Sequence, residues 1–334
     1  MDEVALMNSR DRNELFTQTA ARIGSTPAVV EKDFWVSWVL KKIFEDEVTA
    51  PLFIFKGGTS LSKVFKVIQR FSEDIDLILD WRKLGVEDPL QDRSNTQQAR
   101  FNEAFLARAH AYVASDILHA MGRLTDGICR CDLGDKPGDI RVHYPASFPD
   151  RYLKPEVQLE IGPFSAWLPS ESRVIRSYAA EQYPRVFMHP DCRVNVISAR
   201  MTFWDKATIL HHEAYRPEHS PQPKGYSRHY YDLSRLAESP IKDEALRDMA
   251  LLASVVEYKQ RFYPRGWARY DLAKAGSIRL LPQGHVLAAV QNDYRQMRNM
   301  FFGHVPELNA ILQTLTRLEA EINQTEQFAI INQH

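Results

Sequence analysis

Cysteine is scarce in this sequence, and long apolar runs are missing altogether. The three cysteines, Cys129, Cys131 and Cys192, provide neither a disulfide framework nor the second pair that a four-cysteine zinc site requires. No apolar run is long enough to span a bilayer, and the acidic first residues contain no signal-peptide core. We therefore expect a soluble cytoplasmic protein with reduced thiols and no membrane association.

An excess of charge of one sign is also lacking. The chain carries 42 Lys and Arg against 43 Asp and Glu, which gives a formal net charge of −1. Because a basic field over the whole molecule is thereby excluded, any site for nucleic acid must be a local basic patch. The 334 residues show no internal repeat and no flexible linker, and they suffice for two closely packed lobes.

A double glycine marks the most informative stretch. The apolar run from Leu52 to Phe55 is followed by Gly57 and Gly58 and then by a helical pattern, for which Thr59 or Ser60 is the expected N-cap. Glycines allow backbone N–H groups to approach an anion closely, and the start of a helix adds partial positive charge. The pattern therefore predicts a phosphate-binding turn.

Acidic and apolar residues alternate shortly afterwards. Because successive side chains of a strand point to opposite faces, Asp74 and Asp76 share one face, while Ile75 and Leu77 point into the core. Two neighbouring carboxylates repel each other unless a cation lies between them, and oxygen ligands of this kind suit Mg²⁺. Each motif alone is common in turns and edge strands. In this order they favour a joint phosphate and metal site, since the intervening helix returns the chain to the same end of the sheet.

A second alternating strand, from Lys154 to Ile161, supplies candidates for a third carboxylate. Glu160 is the first candidate and Glu156 the weaker one; a solvent-facing acidic edge is the alternative. Asp80 is expected to be a solvated acid at the end of the first acidic strand.

The remaining segments are predicted from periodicity and turn residues. Residues up to about Val48 read as helical, with a helix start at Thr26-Pro27. A β-hairpin is predicted around Gly134 to Gly138. Residues Ser165 to Asn195 are rich in proline, serine and charge, so we expect them to run over the surface with one short helix near Tyr178 to Tyr183.

Two charged residues of the C-terminal part are candidates for nucleotide binding. Lys206 borders the apolar stripe of a helix that follows Ser198, and Asp232 lies in a later helical segment. A half-buried lysine beside carboxylates can bind triphosphate oxygens as a point charge that Asp232 orients, and a structural ion pair is the alternative. The histidines nearby are expected at the surface or in support of the site: His211, His212 and His229.

Basic and aromatic residues are interleaved between Val255 and Gly303. This stretch contains eight Lys or Arg against three Asp or Glu. Basic groups for phosphates beside rings for unpaired bases are typical of RNA-contacting surfaces. An amphipathic helix pair with its aromatic side chains inward is the alternative.

These motifs resemble a known family. The Gly57 to Lys63 turn, with Arg70-Phe71-Ser72-Glu73-Asp74-Ile75-Asp76, resembles the polymerase β-like nucleotidyltransferases and, within them, the AbiEii/AbiGii toxins of bacterial abortive-infection toxin–antitoxin pairs. The lysine helix, the segment Arg228 to Leu233 and the pattern Asp293 to Gly303 also resemble this branch. The resemblance extends from about residue 53 to the final helix, 307–323.

The resemblance implies the fold. It predicts an α/β (α+β) protein with a small mixed β-sheet nucleotidyltransferase core flanked by helices and a helical C-terminal lobe. Residues 1–197 would form the nucleotidyltransferase-like N-terminal lobe with its leading helices. Residues 198–334 would form the C-terminal lobe and complete the active-site cleft.

The resemblance also implies the activity, which is a Mg²⁺-dependent transfer of NMP from an NTP to an RNA acceptor, with release of pyrophosphate. The acceptor would be a tRNA 3′ end, and the toxin would arrest growth unless its antitoxin restrains it. Two Mg²⁺ ions would be held by Asp74, Asp76 and Glu160, the last a departure from the aspartate often found there. Lys206 and Asp232 would act on the nucleotide, and its phosphates would lie against Gly57, Gly58, Thr59, Ser60 and Ser72.

Two other functions fit parts of the sequence. A nucleotidyltransferase acting on a small-molecule hydroxyl would need the same acids without the basic and aromatic surface. An inactive module that binds RNA or a protein partner would need no metal chemistry, and the intact acidic set argues against it.

Overall fold

The chain forms two units. The computed structural model describes residues 1–72, 74–150, 153–164, 169–301 and 305–331. The first unit comprises Met1–Val64 and Ser72–Ile197, and the second comprises Phe65–Phe71 and Ser198–His334. Thus a short segment between the glycine turn and the acidic strand belongs to the second unit. Glu73 and Gly303, which are part of the motifs quoted above, lie outside the described residues.

Three helices lead into the first unit: α1 (Asp2–Ala5), α2 (Ser9–Ile23) and α3 (Pro27–Glu45). The predicted start of α3 is confirmed, since the Thr26 side chain caps the helix by accepting a hydrogen bond from the Val29 N–H. The helix α3 is buried on almost every face, and Trp35 and Trp38 are fully covered. It therefore forms the centre of the core beside the sheet.

Among the residues that the structure describes, one mixed sheet of seven strands organises the first unit. Its strands are β1 (Phe53–Lys56), β2 (Asp74–Leu79), β3 (Arg130–Leu133), β4 (Asp139–His143), β5 (Glu156–Gly162), β6 (Ser170–Ile175) and β7 (Cys192–Ile197). Their order is β3-β4-β5-β2-β1-β7-β6, with β2 parallel to β5 and antiparallel to β1. The predicted mixed sheet and the predicted hairpin, β3 with β4, are confirmed.

In the described part of these connections there are four α-helices: α4 (Gly57–Lys63), α5 (Asn95–Tyr112), α6 (Leu118–Leu124) and α7 (Tyr178–Gln182). A π-helical turn, Val113–Ile117, joins α5 to α6. The short helix near Tyr178 is confirmed as α7. The three cysteines named above are free thiols, as expected.

The prediction for residues Ser165 to Asn195 is wrong in part. This region contains β6 and β7, and β7 lies next to β1 inside the sheet. In β7, Val194 and Val196 are buried, while Arg193 and Asn195 are exposed. This alternation is short and lies among prolines and charged residues, so the composition of the region did not indicate a strand. The burial of β7 depends on the neighbouring strands β1 and β6.

Two consecutive buried charges on α3 fasten the elements around the acidic strands. Lys32 donates hydrogen bonds to the main-chain carbonyls of Lys154 and Glu156 at the start of β5. Asp33 forms an ion pair with Lys63 at the end of α4, with Nζ and Oδ1 2.5 Å apart. Helix α3 therefore fixes both α4 and β5 by charge-assisted hydrogen bonds.

The second unit is helical in its described part, as predicted for the C-terminal lobe. Its helices are α8 (Ala199–Ala214), α9 (Ser227–Ala237), α10 (Ile241–Leu246), α11 (Met249–Phe262), α12 (Gly284–Gln296) and α13 (Leu308–Ile331). Ser198 caps α8 by accepting a hydrogen bond from the Met201 N–H. None of the helices that the structure describes is long and apolar enough to cross a membrane.

Candidate active site

The two aspartates lie on one face of β2. Asp74 and Asp76 are half-buried, while Ile75 and Leu77 between and after them are fully buried. In the parallel pairing of β2 with β5, Asp76 lies opposite Glu160. Strand alternation and strand pairing therefore put the three predicted carboxylates on the same face of the sheet.

Gly57 lies directly beside the Asp76 carboxylate. Its φ is +81°, in the left-handed region, and a Cβ built on it would come within 1.9 Å of Asp76 Oδ2. The space that a side chain would occupy is already taken by the carboxylate. This position therefore needs glycine for two reasons, which are the backbone conformation and the close approach of the turn to the acid.

The predicted N-cap of α4 is wrong. The helix begins at Gly57, its N-cap is Lys56, and no side chain caps it. Thr59 and Ser60 lie inside the helix, where both are buried. Thr59 donates its hydroxyl proton to the main-chain carbonyl of Asp74, and Ser60 donates to the carbonyl of Gly57 over 2.8 Å. These hydroxyls fasten the glycine turn to itself and to the acidic strand.

The other residues predicted to contact the phosphates, Gly58 and Ser72, also belong to the first unit. Gly58 is buried in the first turn of α4. Ser72 is half-buried and lies two residues before Asp74.

Two further acids in this unit have partners of their own. Asp80 is 3% exposed rather than solvated, which corrects the expectation, and it accepts hydrogen bonds from the Arg82 guanidinium. Glu156, the weaker candidate for the third acid, lies 3.6 Å from Nδ1 of His143 and opposite it in the pairing of β4 with β5.

The face of the sheet that carries Asp74, Asp76 and Glu160, which we call the acidic face, also carries Asp139 and Gln158. The sequence patterns did not identify these two residues as part of it. Asp139 lies opposite Glu160 in the pairing of β4 with β5, so Asp76, Glu160 and Asp139 form a row across three strands. The amide nitrogen of Gln158 is 3.0 Å from Asp139 Oδ2 and 3.3 Å from Glu160 Oε1. Burial raises the pKa of Asp139, and the charge of Asp76 adds to this effect. The predicted hairpin includes Asp139, and the alternation of β5 puts Gln158 on the same face as Glu160. The sequence does not show that β4 pairs with β5, and this pairing brings the residues together.

In the second unit, Lys206 and Asp232 form an ion pair with an Nζ to Oδ2 distance of 3.0 Å. Arg70, to which the sequence pattern assigns no role, binds the same carboxylate with two hydrogen bonds of 2.7 and 2.8 Å. All three side chains are buried. Burial by itself would raise the pKa of Asp232, but the charges of Arg70 and Lys206 outweigh it and lower that pKa to about 2.

The lysine has one more partner, His229. Lys206 Nζ lies 2.9 Å from His229 Nδ1, so the lysine donates and the ring nitrogen accepts. Burial, followed by the charge of Lys206, lowers the pKa of His229 well below its ordinary value. Burial also lowers the pKa of Lys206, and Asp232 opposes that shift. The imidazole is therefore neutral, and it holds the ammonium group in one position.

Of the two placements expected for His211 and His212, at the surface or in support of the site, the surface placement is wrong, because both are buried in the second unit. The His211 ring bonds the main chain on both sides: Nε2 to the Arg269 carbonyl over 2.9 Å and Nδ1 to the Arg279 N–H over 3.0 Å. His212 lies 3.0 Å from the Glu213 carboxylate. Neither histidine is available as a metal ligand, since both rings are committed to neighbours.

The acidic face has the donor chemistry for a divalent cation. Carboxylate oxygens are the ligands that Mg²⁺ prefers, and the Gly57 backbone leaves the Asp76 carboxylate in a space that any side chain would fill. Within the described part of the chain, no three histidine, cysteine or acidic side chains are already grouped closely enough to hold a metal ion.

Most of the sequence matches the model of a known protein family. The sequence model described as "Nucleotidyl transferase AbiEii toxin, Type IV TA system" matches residues 38–317, a range that includes every candidate site residue named above. No protein with a curated description matches the chain.

Two of the solved structures that are similar to this chain at low identity illustrate the match. One is MenT4, a nucleotidyltransferase toxin from Mycobacterium tuberculosis H37Rv, with 16% identity over 94% of this chain and 97% of that chain, and a TM-score of 0.45. The other is JHP933 from Helicobacter pylori, with 13% identity over 91% of this chain and 96% of that chain, and a TM-score of 0.46.

The family match covers well over half of the chain. A nucleotidyltransferase takes its nucleotide from an NTP and generally uses a divalent metal ion. The chain therefore belongs to the AbiEii family of nucleotidyltransferase toxins, and as the toxin of a type IV toxin–antitoxin system it has an antitoxin as its partner.

Proposed function

We propose that this enzyme transfers NMP from an NTP to a hydroxyl of RNA in the cytoplasm, with Mg²⁺ as the metal and a tRNA 3′ end as the acceptor. The observation that carries the proposal is the arrangement of Gly57, Asp76 and Glu160. A glycine turn touches one carboxylate, and the register of two parallel strands sets a second carboxylate opposite it. Nucleotidyl transfer needs this combination, because a charged triphosphate and its metal must be held together.

Asp74, Asp76 and Glu160 would hold Mg²⁺, as a two-ion site. The bound ions would neutralise charge on the triphosphate and lower the pKa of the attacking hydroxyl. The three carboxylates share a face of the sheet, and Asp76 and Glu160 are direct neighbours across two strands.

The proposed phosphate contacts come from the glycine turn and from the lysine. Main-chain N–H groups at Gly57 and Gly58, with Thr59, Ser60 and Ser72 close in sequence, would lie against the phosphates. Lys206 would bind the triphosphate as a point charge oriented by Asp232. Its ammonium group is held by two partners, which favours a fixed position over a mobile one.

RNA is the proposed acceptor because the second unit exposes arginines beside aromatic rings. Arg265 and Arg279 lie over the faces of Trp267 and Tyr215 respectively. Such pairs suit phosphates and unpaired bases. A tRNA 3′ end offers both in a single-stranded form, and blocking it would stop translation and arrest growth.

The test is a transfer assay with purified protein, Mg²⁺, total tRNA and each of the four labelled NTPs in turn, read on a denaturing gel. We expect the label to enter RNA with at least one NTP. With Asp76→Asn the rate should fall at least about 100-fold, since an essential metal ligand is lost. Glu103→Gln, which removes an exposed acid from α5, is the matched control and should behave as the wild type.

Periodate-treated tRNA tests the acceptor, because periodate destroys the terminal 2′,3′-diol. Loss of labelling on this substrate is expected, and undiminished labelling would contradict the tRNA 3′ end as acceptor. Wild-type rates for Asp76→Asn would overturn the metal-site assignment. If the wild type binds NTP yet labels no RNA with any of the four, RNA is not the acceptor. Labelling that persists in EDTA would overturn the metal requirement.

A further inference from the structure

Two aromatic side chains of the second unit are each flanked by two guanidinium groups. The Arg269 and Arg279 guanidinium carbons lie 5.9 and 5.0 Å from the centroid of the Tyr215 ring. Those of Arg216 and Arg265 lie 4.9 and 5.6 Å from the Trp267 ring. We call these six residues the arginine–aromatic platform: Tyr215, Arg216, Arg265, Trp267, Arg269 and Arg279.

The platform is built from three short segments of the second unit. Tyr215 and Arg216 directly follow α8, residues 265–269 surround one turn of 3₁₀-helix, Gly266–Ala268, and Arg279 lies in the stretch before α12. Arg265 contacts the Trp267 ring, and Arg269 contacts the Tyr215 ring. Because these two arginines come from the same five-residue segment, the two arginine–ring pairs belong to one surface.

One buried histidine fastens this surface. His211 bonds the main chain of Arg269 through Nε2 and that of Arg279 through Nδ1, so it fixes the backbone of both arginines beside Tyr215. Its own ring lies 5.1 Å from the Tyr215 ring. Arg269 has a φ of +47°, a left-handed conformation that a non-glycine residue adopts only when its surroundings hold it. The arginines beside Tyr215 are therefore held in place at their backbones, although their side chains are exposed.

The charges of the platform are unequal. Arg216 is buried and binds Glu213 with two hydrogen bonds of 2.7 Å each, so its charge is neutralised. Arg269 pairs with Asp271, although 48% of its side chain remains exposed. Arg265 and Arg279 are exposed, and neither has an ion-pair partner among the residues that the structure describes. Two positive charges beside half-buried rings are thus directed to solvent.

We infer that the arginine–aromatic platform is the docking surface for unpaired nucleotides of the RNA acceptor. An exposed guanidinium group beside a protein ring can leave that ring to stack on an RNA base or to bind a phosphate. The protein ring can then stack on the face of a base. Bases in a duplex are already stacked on each other and cannot enter, so the platform selects single-stranded RNA over duplex. This inference rests on the proposed function, since it presumes that the acceptor is RNA.

Binding of a labelled single-stranded RNA 12-mer, measured by fluorescence anisotropy without NTP, tests the platform. The double variant Arg265→Ala/Arg279→Ala should raise the Kd about tenfold, because two phosphate-binding charges are lost. Arg247→Ala/Arg295→Ala is the matched control. It removes two exposed arginines of the same unit for which no ring contact is described, and it should change the Kd less than about twofold.

Variants of Tyr215 measure the contribution of ring stacking to RNA binding separately from the contribution of charge. Tyr215→Leu should raise the Kd about fivefold or more, and Tyr215→Phe, which keeps the ring, should bind as the wild type. The same 12-mer in a duplex should bind more weakly than the single strand. Thermal unfolding of each variant shows whether the second unit is still folded.

The transfer assay separates this inference from the proposed function. Loss of RNA affinity in the platform variants, with an increased KM for RNA and an unchanged kcat, supports the platform. Equal losses in the control pair, no loss in Arg265→Ala/Arg279→Ala, or tighter binding of the duplex would overturn it, while RNA labelling by the wild type would leave the proposed function intact. A platform that captures acidic protein but no RNA would also overturn the inference.

Discussion

The Asp76 carboxylate occupies the space in which a side chain at Gly57 would begin, since Oδ2 lies 1.9 Å from the ideal Cβ position. Gly57 is the first residue of α4, and Asp76 lies in β2, after the rest of α4 and the segment that follows it. Their contact means that the backbone conformation of the turn and the position of the Asp76 carboxylate depend on each other. The conformation of the turn, rather than a side chain, makes room for the carboxylate.

Gly57→Ala should therefore abolish transfer while leaving the protein folded. The methyl group must displace Asp76, and a misplacement of about 1 Å can lower a rate about 100-fold. Gly127→Ala is the matched control, because Gly127 also has a positive φ, +73°, but nothing lies within 4 Å of its Cβ position. Both variants should lose about 1 kcal/mol of stability from the left-handed backbone. Transfer rates and urea unfolding of both proteins provide the comparison, and equal activity of the two variants would contradict the role of the contact.

Gln158 should lower the Mg²⁺ concentration that transfer requires, because it holds the Glu160 carboxylate in place. Its amide nitrogen lies between Asp139 and Glu160 and holds both carboxylates in place. In Gln158→Ala these hydrogen bonds are lost, and we expect the Mg²⁺ concentration for half-maximal transfer to rise about tenfold, as for other groups that orient metal ligands. A titration of activity with Mg²⁺ measures this shift. Gln98→Ala, which removes an amide from α5, should leave the titration unchanged. An unaltered Mg²⁺ dependence in Gln158→Ala would show that Glu160 does not need this support.

Asp232 should make the stability of the protein depend on acid pH. Its pKa is about 2 in the folded state and about 3.9 in an unfolded chain. Because the folded pKa is the lower one, the contribution is complete above pH 4 and is lost as the pH falls toward 2, by about 2–3 kcal/mol in all. Asp232→Asn should be less stable than the wild type at pH 6, where it leaves Arg70 and Lys206 buried without their carboxylate. Urea unfolding between pH 6 and pH 2.5 should show the gap between the two proteins narrowing. A constant gap would contradict the assigned pKa.

His229 should contribute to a second pH dependence, near neutrality. Its folded pKa lies well below the value of about 6.5 for an unfolded histidine. The unfolded chain therefore binds a proton below pH 6.5 that the folded protein does not, and the free energy of unfolding falls by up to about 1.4 kcal/mol per pH unit. In His229→Asn this contribution should disappear, so stability should fall less between pH 7.5 and pH 5.5. The exposed His219 offers the control variant His219→Asn, which should keep the wild-type slope. An identical slope in all three proteins would show that His229 is protonated in the folded state.

Local patterns predicted several elements because their causes are local. The Thr26 cap of α3, the hairpin of β3 and β4, and the shared face of Asp74 and Asp76 follow from capping, turn residues and the period of a strand. Strand β7 was missed because its burial comes from β1 and β6 on either side of it, and neither neighbour is visible in its own six residues.

The roles of single charged residues were harder to predict than the elements. Arg70 and Asp232 are 162 positions apart, and no local period connects them. His211 and His212 follow each other on a helix, which suggests that one of them is exposed, yet both are buried. For Arg70 and His211 the partners come from distant segments, so the sequence contains the groups and not their pairing.

The family, the glycine turn and the acidic strand can be recognised from sequence, since they depend on short runs of residues with fixed spacing. The tertiary structure alone decided which carboxylates are neighbours. Strand order sets Glu160 between Asp76 and Asp139, and the fold brings Arg70 to Asp232. The physical reason is that hydrogen bonding between strands and the burial of charge are satisfied over the whole chain, so their outcome is fixed only when distant segments meet.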